Sequence, residues 1–282
     1  MVRARRRFGQ HFLEPAWADK LVSAIEPVAG DRFLEIGPGP GALTLRLAPR
    51  VAHLTAVEVD RDLAAALTPQ LPSNVDLVVA DFLNLDLARF LESGPLRVAG
   101  NLPYNISSPI LFKLIDVARQ LGEPERQPPA PSPQPRILDA TLMLQREVAE
   151  RLEARPGSKD YGVLSISVQL YADVRRVLSL PPGAFRPAPK VHSAVVRLTF
   201  RPPPLSPRDE RVFEAMVRSM FTQRRKTLAN ALSPFAGTRE VRAVAALKAA
   251  GIDPSRRPET LDLAELTRLA DQFARPAVRS TH

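Results

Sequence analysis

Residues 33–44 read "FLEIGPGPGALT", an apolar strand-like run that breaks into three glycines and resumes as a helix-like segment. Gly37, Gly39 and Gly41 at a strand exit let the backbone pass close to a ligand and turn amide N–H groups toward it. A glycine-rich turn alone is weak evidence, and Gly37, Gly39 and Ala42 also satisfy the dinucleotide spacing G-x-G-x-x-A. The stretch predicts a strand–turn–helix unit that binds a nucleotide-like group. It leaves a nicotinamide dinucleotide and an adenosyl cofactor both open.

Outward from this turn, strand-like runs alternate with helical stretches. "DRFLEIG" leads to a helix over 41–49, "HLTAVEVD" to one over 61–71, "VDLVVAD" to one over 86–93, and "LRVAG" (96–100) follows. Short apolar strands separated by helices predict a doubly wound parallel sheet, an α/β fold. Further strands are expected at "ILDATLMLQ" (137–145) and "SAVVRLTF" (193–200), whereas "YGVLSISVQLYA" (161–172) fits helix and strand periods equally. The segment 122–136 holds six prolines in fifteen residues and reads as a surface insertion. "RPPPLSP" (201–207) reads as a boundary. Beyond it, 208–273 carries helical periodicity without strand signals, which predicts a small all-α domain.

The strand ends carry the chemistry. Glu58 lies about twenty residues past the glycine turn, where a carboxylate accepts hydrogen bonds from ribose hydroxyls. Asp81, ending "VVAD", could accept from an adenine amine; each acid could equally be a helix N-cap. Turn, acid and acid at three successive strand ends together mark the carboxyl edge of the sheet, where doubly wound folds bind ligands. The fourth strand ends in "NLPYNISSP" (101–109). Its prolines, asparagines and serines suit a turn, but a turn does not require Tyr104, an aromatic ring with a polar tip. The cluster resembles the Asn/Asp-Pro-Pro-Tyr type of motif of amino-methyltransferases, which points to S-adenosylmethionine.

Composition narrows the partners. The chain has 282 residues and no cysteine, which excludes disulfides, zinc–thiolate sites and a cysteine nucleophile. No apolar run reaches the ~20 residues of a membrane span, and the basic start lacks the apolar stretch of a secretory signal. A cytoplasmic protein is expected. Lys and Arg number 39 against 30 Asp and Glu, a net charge of +9, which favours a polyanionic partner.

Taken in order, "RRFGQHFL" (6–13), "EIGPGPGALT", "EVDRDL" (58–63), "NLPYNISSP", "FRPAPKVHSAVVRL" (185–198) and "QRRKTLANAL" (223–232) resemble the small-subunit ribosomal RNA adenine dimethyltransferases. The resemblance implies a Rossmann-like S-adenosylmethionine-dependent domain over 1–200 and a small helical RNA-binding domain over 201–282. It implies transfer of methyl groups to N6 of two adjacent adenosines near the 3′ end of the small-subunit rRNA, within the 30S subunit or its precursor. It places cofactor contacts on His11, Leu13, Gly37, Gly39, Glu58, Asp81 and Asn101; position 11 is often asparagine in this family. On the base side, Asn101 and Leu102 would bind the amine, Tyr104 would stack on the ring, and Phe185 would cover the opposite face or simply pack in the core. No metal is required, and a monomer is expected.

RNA contacts are expected at Lys190 and at Arg224, Arg225 and Lys226, with further basic clusters at Arg3, Arg5, Arg6 and Arg7 and at Arg256 and Arg257. Each run could also be a solvated helix face. Two other function classes stay in play: an NAD-dependent oxidoreductase, resting on the glycine spacing and Glu58, and a ribosome-assembly RNA-binding factor with secondary catalysis.

Overall fold

The computed structural model describes residues 11–121, 137–239 and 241–274. The Arg3, Arg5, Arg6 and Arg7 cluster and the proline-rich 122–136 segment fall outside the described residues. The chain forms two compact units, one of Met1–Glu153 with Tyr171–Pro202, the other of Ala154–Leu170 with Pro203–His282.

The first unit holds strands β1 (Phe12–Leu13), β2 (Arg32–Ile36), β3 (His53–Glu58), β4 (Val75–Val79), β5 (Leu96–Asn101), β6 (Ile137–Gln145), β7 (Ala172–Leu180), β8 (Phe185–Arg186) and β9 (Ser193–Phe200). Seven of them make one sheet in the order β4-β3-β2-β5-β6-β9-β7, and β1 pairs with β8 in a separate antiparallel ribbon. The run from β4 to β6 is parallel, while β9 lies antiparallel to both its neighbours. Flanking helices are α1 (Pro15–Ile25), α2 (Thr44–Leu47), α3 (Arg61–Leu67), α4 (Ala88–Leu91), α5 (Ser107–Leu121) and α6 (Arg146–Glu153). α2 and α3 each run on into a 3-10 turn, so the helices expected over 41–49 and 61–71 are shorter than their periodicity suggested.

Burial explains the pattern. Phe33, Leu34, Val98 and Ala99 of the central strands are inaccessible, as expected of parallel strands covered on both faces. Two ionisable side chains of the central strands, Glu35 and Arg97, are buried among them. Arg97 of β5 donates to Asp139 and Asp31, at 2.9 and 2.6 Å, and to the carbonyls of Ile25 and Glu26 at the end of α1. This knot lies at the amino edge of the sheet, opposite the strand ends that carry the expected chemistry.

The second unit contains α7 (Val163–Tyr171, but for its last residue), α8 (Glu210–Thr222), α9 (Leu228–Gly237), α10 (Ala243–Ala249) and α11 (Leu263–Asp271). α11 opens with a reciprocal cap between Asp262 and Glu265, and Asp209 caps α8. The ambiguous 161–172 stretch is α7, and it runs directly into β7, a strand that the sequence reading did not assign. β7 pairs with β9 alone, and its polar, half-exposed residues are those of an edge strand. No described helix is long and apolar enough to cross a membrane.

Because Arg97 is nearly buried with two carboxylates, replacing it leaves both acids without a counter-charge. Arg97→Ala should destabilise the protein by about 3–5 kcal/mol, read from denaturant unfolding. An effect below 1 kcal/mol would show that the knot is incidental.

Candidate active site

The parallel register brings the strand ends together. Ile36 lies beside Val57 and Gly100, and Glu58 beside Val79. Residues just past these rows, Gly37, Glu58, Asp81 and Asn101, therefore share one edge of the sheet and line one cleft of about 240 Å³. His11, Leu13, Gly39, Leu102 and Tyr104 line it too.

The glycine turn works by backbone geometry. Gly39 and Gly41 adopt φ of +56° and +87°, a region that side-chain-bearing residues rarely adopt. A Cβ on Gly41 would meet Leu67 Cδ1 at 2.4 Å. α2 is a single turn, so the site rests on the loop amides and not on a long helix dipole.

Glu58 anchors the loop. One carboxylate oxygen accepts from Gly39 N at 3.0 Å, the other from Asp60 N at 2.9 Å. Burial pushes its carboxyl up from the usual range, against these backbone donors, which lower it. Each oxygen keeps a lone pair for a ligand hydroxyl. Asp81 is exposed and caps the turn that follows β4, accepting from Leu83 N at 2.9 Å and Asn84 Nδ2 at 3.1 Å. The capping role weighed from sequence is therefore real, and it leaves Asp81 on the cleft wall.

At the end of β5, Asn101 Nδ2 donates to the His11 carbonyl at 2.9 Å. This fixes the amide plane and leaves Oδ1 an acceptor with no hydrogen-bond partner among the described residues, on a residue that lines the cleft. Leu102 N donates to Met143 O at 3.2 Å, and the Leu102 side chain is buried. The turn foreseen at 101–109 is present: Ile106 N donates to Pro103 O, Ser107 Oγ to Tyr104 O, and α5 begins at Ser107. Tyr104 hydrogen-bonds Ser193 at 2.6 Å, and burial pushes its phenol up, so the ring stays neutral. One face of that ring is stacked on His11, with centroids 5.5 Å apart and planes inclined by 28°. His11 Nδ1 pairs with Pro187 O at 2.8 Å.

Phe185 requires a correction. It pairs with Leu13 across the β1–β8 ribbon, is inaccessible, and packs among Leu13, Ala18 and Leu180 in the core. It does not line the cleft. The sequence alternative of plain core packing describes it, because the ribbon turns this ring inward.

The basic residues also divide. Lys190 is exposed and lines a shallow depression with Arg146 and His192. Within the helical unit, Arg225, Lys226 and Arg257 are exposed. Arg224 instead pairs with Glu259 at 2.5 Å and donates to Ser158 O at 3.0 Å, and Arg256 pairs with Glu265. Those two arginines hold the unit together, so the expectation that Arg224 contacts RNA does not fit its bonding.

Three features escaped the sequence reading: Ser193, which orients Tyr104; Phe12, which lines the cleft beside Gly39; and Glu35, a buried carboxyl in the same wall. Only Glu35 carried a signal, an acid in an otherwise apolar strand.

Glu58→Gln offers one oxygen and one NH2 to two backbone donors, so one N–H loses its acceptor. We expect a loss of about 1–3 kcal/mol and weaker binding of any ligand that lies on the glycine turn. Unchanged melting temperature would contradict the anchoring role.

Comparison with known proteins places this geometry. The profile described as ribosomal RNA adenine dimethylase matches residues 1–274. The ribosomal RNA small subunit methyltransferase A of Pseudomonas aeruginosa is 46% identical over 277 residues, covering 96% of this chain and 95% of that protein. Among solved structures, the 23S rRNA methyltransferase ErmE is 28% identical with a TM-score of 0.65, covering 93% of this chain and 99% of that one. A dimethyladenosine transferase from Plasmodium falciparum shares the fold, with a TM-score of 0.70 at 24% identity over 92% of this chain and 96% of that one. The oxidoreductase alternative has no support among them, and the methyl donor that goes with the profile is S-adenosylmethionine. The chain belongs to the ribosomal RNA adenine dimethylase family.

Proposed function

We propose that this protein transfers methyl groups from S-adenosylmethionine to N6 of two adjacent adenosines near the 3′ end of small-subunit rRNA, forming N6,N6-dimethyladenosines during small-subunit biogenesis. The observation that carries the reading is the Asn101 amide, held by its donation to the His11 carbonyl with its oxygen unpartnered among the described residues, in the lining of the cleft that also holds the glycine turn and Glu58. Identity of 46% to a small-subunit rRNA methyltransferase supports the choice of substrate. We take the protein to act as a cytoplasmic monomer.

The cleft suits the cofactor. Glu58 retains lone pairs for ribose hydroxyls, Asp81 can take the adenine amine, and the backbone at Gly37 and Gly39 has no Cβ to fill the cradle. His11 and Leu13 would close the wall beside Asn101. Bound there, S-adenosylmethionine supplies an electrophilic methyl group on a sulfonium.

The remaining work falls to the base side. An adenine amine is a poor nucleophile because its lone pair is delocalised into the ring. Asn101 Oδ1 and the Leu102 carbonyl, which has no partner among the described residues, would accept the two N6 hydrogens and favour a pyramidal nitrogen. Tyr104 would stack on the extruded base with the face that His11 leaves open, worth roughly 1–3 kcal/mol. Positioning supplies most of the acceleration, for which about 7–11 kcal/mol is available in well-oriented systems. No strong base is needed, because the proton on nitrogen becomes acidic once the methyl has arrived. For the second transfer only one N6 hydrogen remains, so one of the two acceptors goes unused. The helical unit would hold the RNA through Arg225, Lys226 and Arg257, and Lys190 would add a contact from the first unit.

Asn101→Ala should lower labelled methyl transfer by on the order of 10²–10³-fold while leaving the melting temperature near that of the parent. Asn101→Asp should fail as well, because a carboxylate would face the His11 carbonyl. Near-normal turnover by either variant would refute the role. RNA affinity should fall steeply with salt, and Lys226→Ala should reduce that slope by about one. Arg224→Ala should chiefly lower the melting temperature, through Glu259 and Ser158.

A further inference from the structure

We propose that Lys113 is a positioning residue for the methyl donor's adenine: reaching from α5, it holds the turn after β4 and so sets the selectivity of the Asp81 side of the cleft for an adenine amine. The inference rests on the cofactor reading above, in which Asp81 takes that amine, and goes beyond it.

Lys113 does not itself line the cleft. It lies one helical turn past Ile110, the buried α5 residue that does, so the two share a face of the helix. Its Nζ donates to the Leu83 carbonyl at 2.8 Å and to the Leu85 carbonyl at 2.5 Å, and stands 5.6 Å from the centre of the Phe82 ring. Phe82 and Leu83 follow Asp81 directly in the chain and line the cleft with it. The turn is thus held from two sides. Asp81 answers the Leu83 N–H and the Asn84 side-chain amide from within, and Lys113 answers two carbonyls from another element.

Leu83 and Leu85 are only half-buried, so water could serve their carbonyls. Ordering a lysine there costs side-chain freedom that water would not cost. What the lysine adds is a fixed distance between this turn and α5, the helix that begins where the Tyr104 turn ends. Two carbonyls held on one ammonium define the path of residues 83–85. That path in turn places the Asp81 carboxylate, which is bonded to Leu83 N and Asn84 Nδ2. Asp81 is exposed, and an exposed carboxylate that is free to move discriminates little between ligands. Held in place, it keeps lone pairs for a ligand amine after making its own two bonds. Burial pulls the Lys113 ammonium down from the usual lysine range, while the charges of Asp81 and Asp86 pull it up, so the acid and the cation favour one another.

A lysine that only shored up the fold would affect every ligand of the cleft alike. One that places Asp81 affects only ligands that carry the adenine amine. The test compares calorimetric binding of S-adenosylhomocysteine with that of S-inosylhomocysteine, in which an oxygen replaces the adenine amine, for the parent protein and for Lys113→Met. Methionine keeps the apolar stem and removes the donors. We expect the parent to prefer S-adenosylhomocysteine by about tenfold or more, and Lys113→Met to lose about tenfold of that affinity while S-inosylhomocysteine binds as before. Equal losses for both ligands would reduce the lysine to a support of the fold and overturn the proposal, as would a preference unchanged from the parent's. If Lys113→Met does not fold, Lys113→Gln takes its place and is read in the same way. A parent that binds both ligands equally overturns the proposal without any variant. Absence of S-adenosylhomocysteine binding by the parent would instead sink the cofactor reading.

Discussion

A single buried carboxylate organises the cleft. Glu58 stands at the tip of β3 and holds the turn after β2 through Gly39 N and the start of α3 through Asp60 N. Those bonds can form only because the parallel register sets the tips of β2 and β3 side by side. The turn in turn requires residues without a Cβ, since the backbone at Gly39 and Gly41 runs through the left-handed region and Gly41 lies against Leu67. The fold and the site are thus one constraint seen twice. Strand alignment, enforced at the far edge by Arg97 with Asp31 and Asp139, delivers the groups that a nucleoside ligand needs.

The same logic extends to the base side. β5 ends one row past β2, so Asn101 emerges next to the glycine turn. Its amide could rotate freely in a solvent-exposed turn. Here the β1–β8 ribbon brings the His11 carbonyl to its Nδ2, which fixes the amide plane and leaves the oxygen as the open acceptor. His11 contributes twice, by its carbonyl to Asn101 and by its ring to Tyr104. A histidine at this position therefore keeps a main-chain contact that does not depend on side-chain type, and adds a stacked ring.

Much of this was legible in the sequence because the signals are local. Glycines at a strand exit, an acid at the next strand end and an Asn-Leu-Pro-Tyr cluster at the fourth each depend on a few neighbouring residues and on strand alternation. What was not legible depends on distant partners. Phe185 faces the core because β8 pairs with β1, far away in sequence. Arg224 is occupied by Glu259 and Ser158, neither of which is adjacent. β7 stayed hidden because an edge strand of mixed polarity looks like a loop, and α7 runs into it without a break. Residues 154–170 belong with the helical unit although a strand of the sheet follows them, an arrangement that no linker composition announces. Glu35 was visible as an acid in a strand, but its burial between Ala56 and Ala99 depends on the register of the neighbouring strands.

The central claim is that this cleft presents one adenine amine to one methyl donor. It is tested most directly by incubating the protein with methyl-labelled S-adenosylmethionine and unmethylated small ribosomal subunits, and then mapping the label. The account predicts label on N6 of two adjacent adenosines near the 3′ end of the rRNA, rising to two methyl groups on each. Label confined to other bases or to large-subunit RNA, or no label under conditions where the cofactor binds, would contradict it.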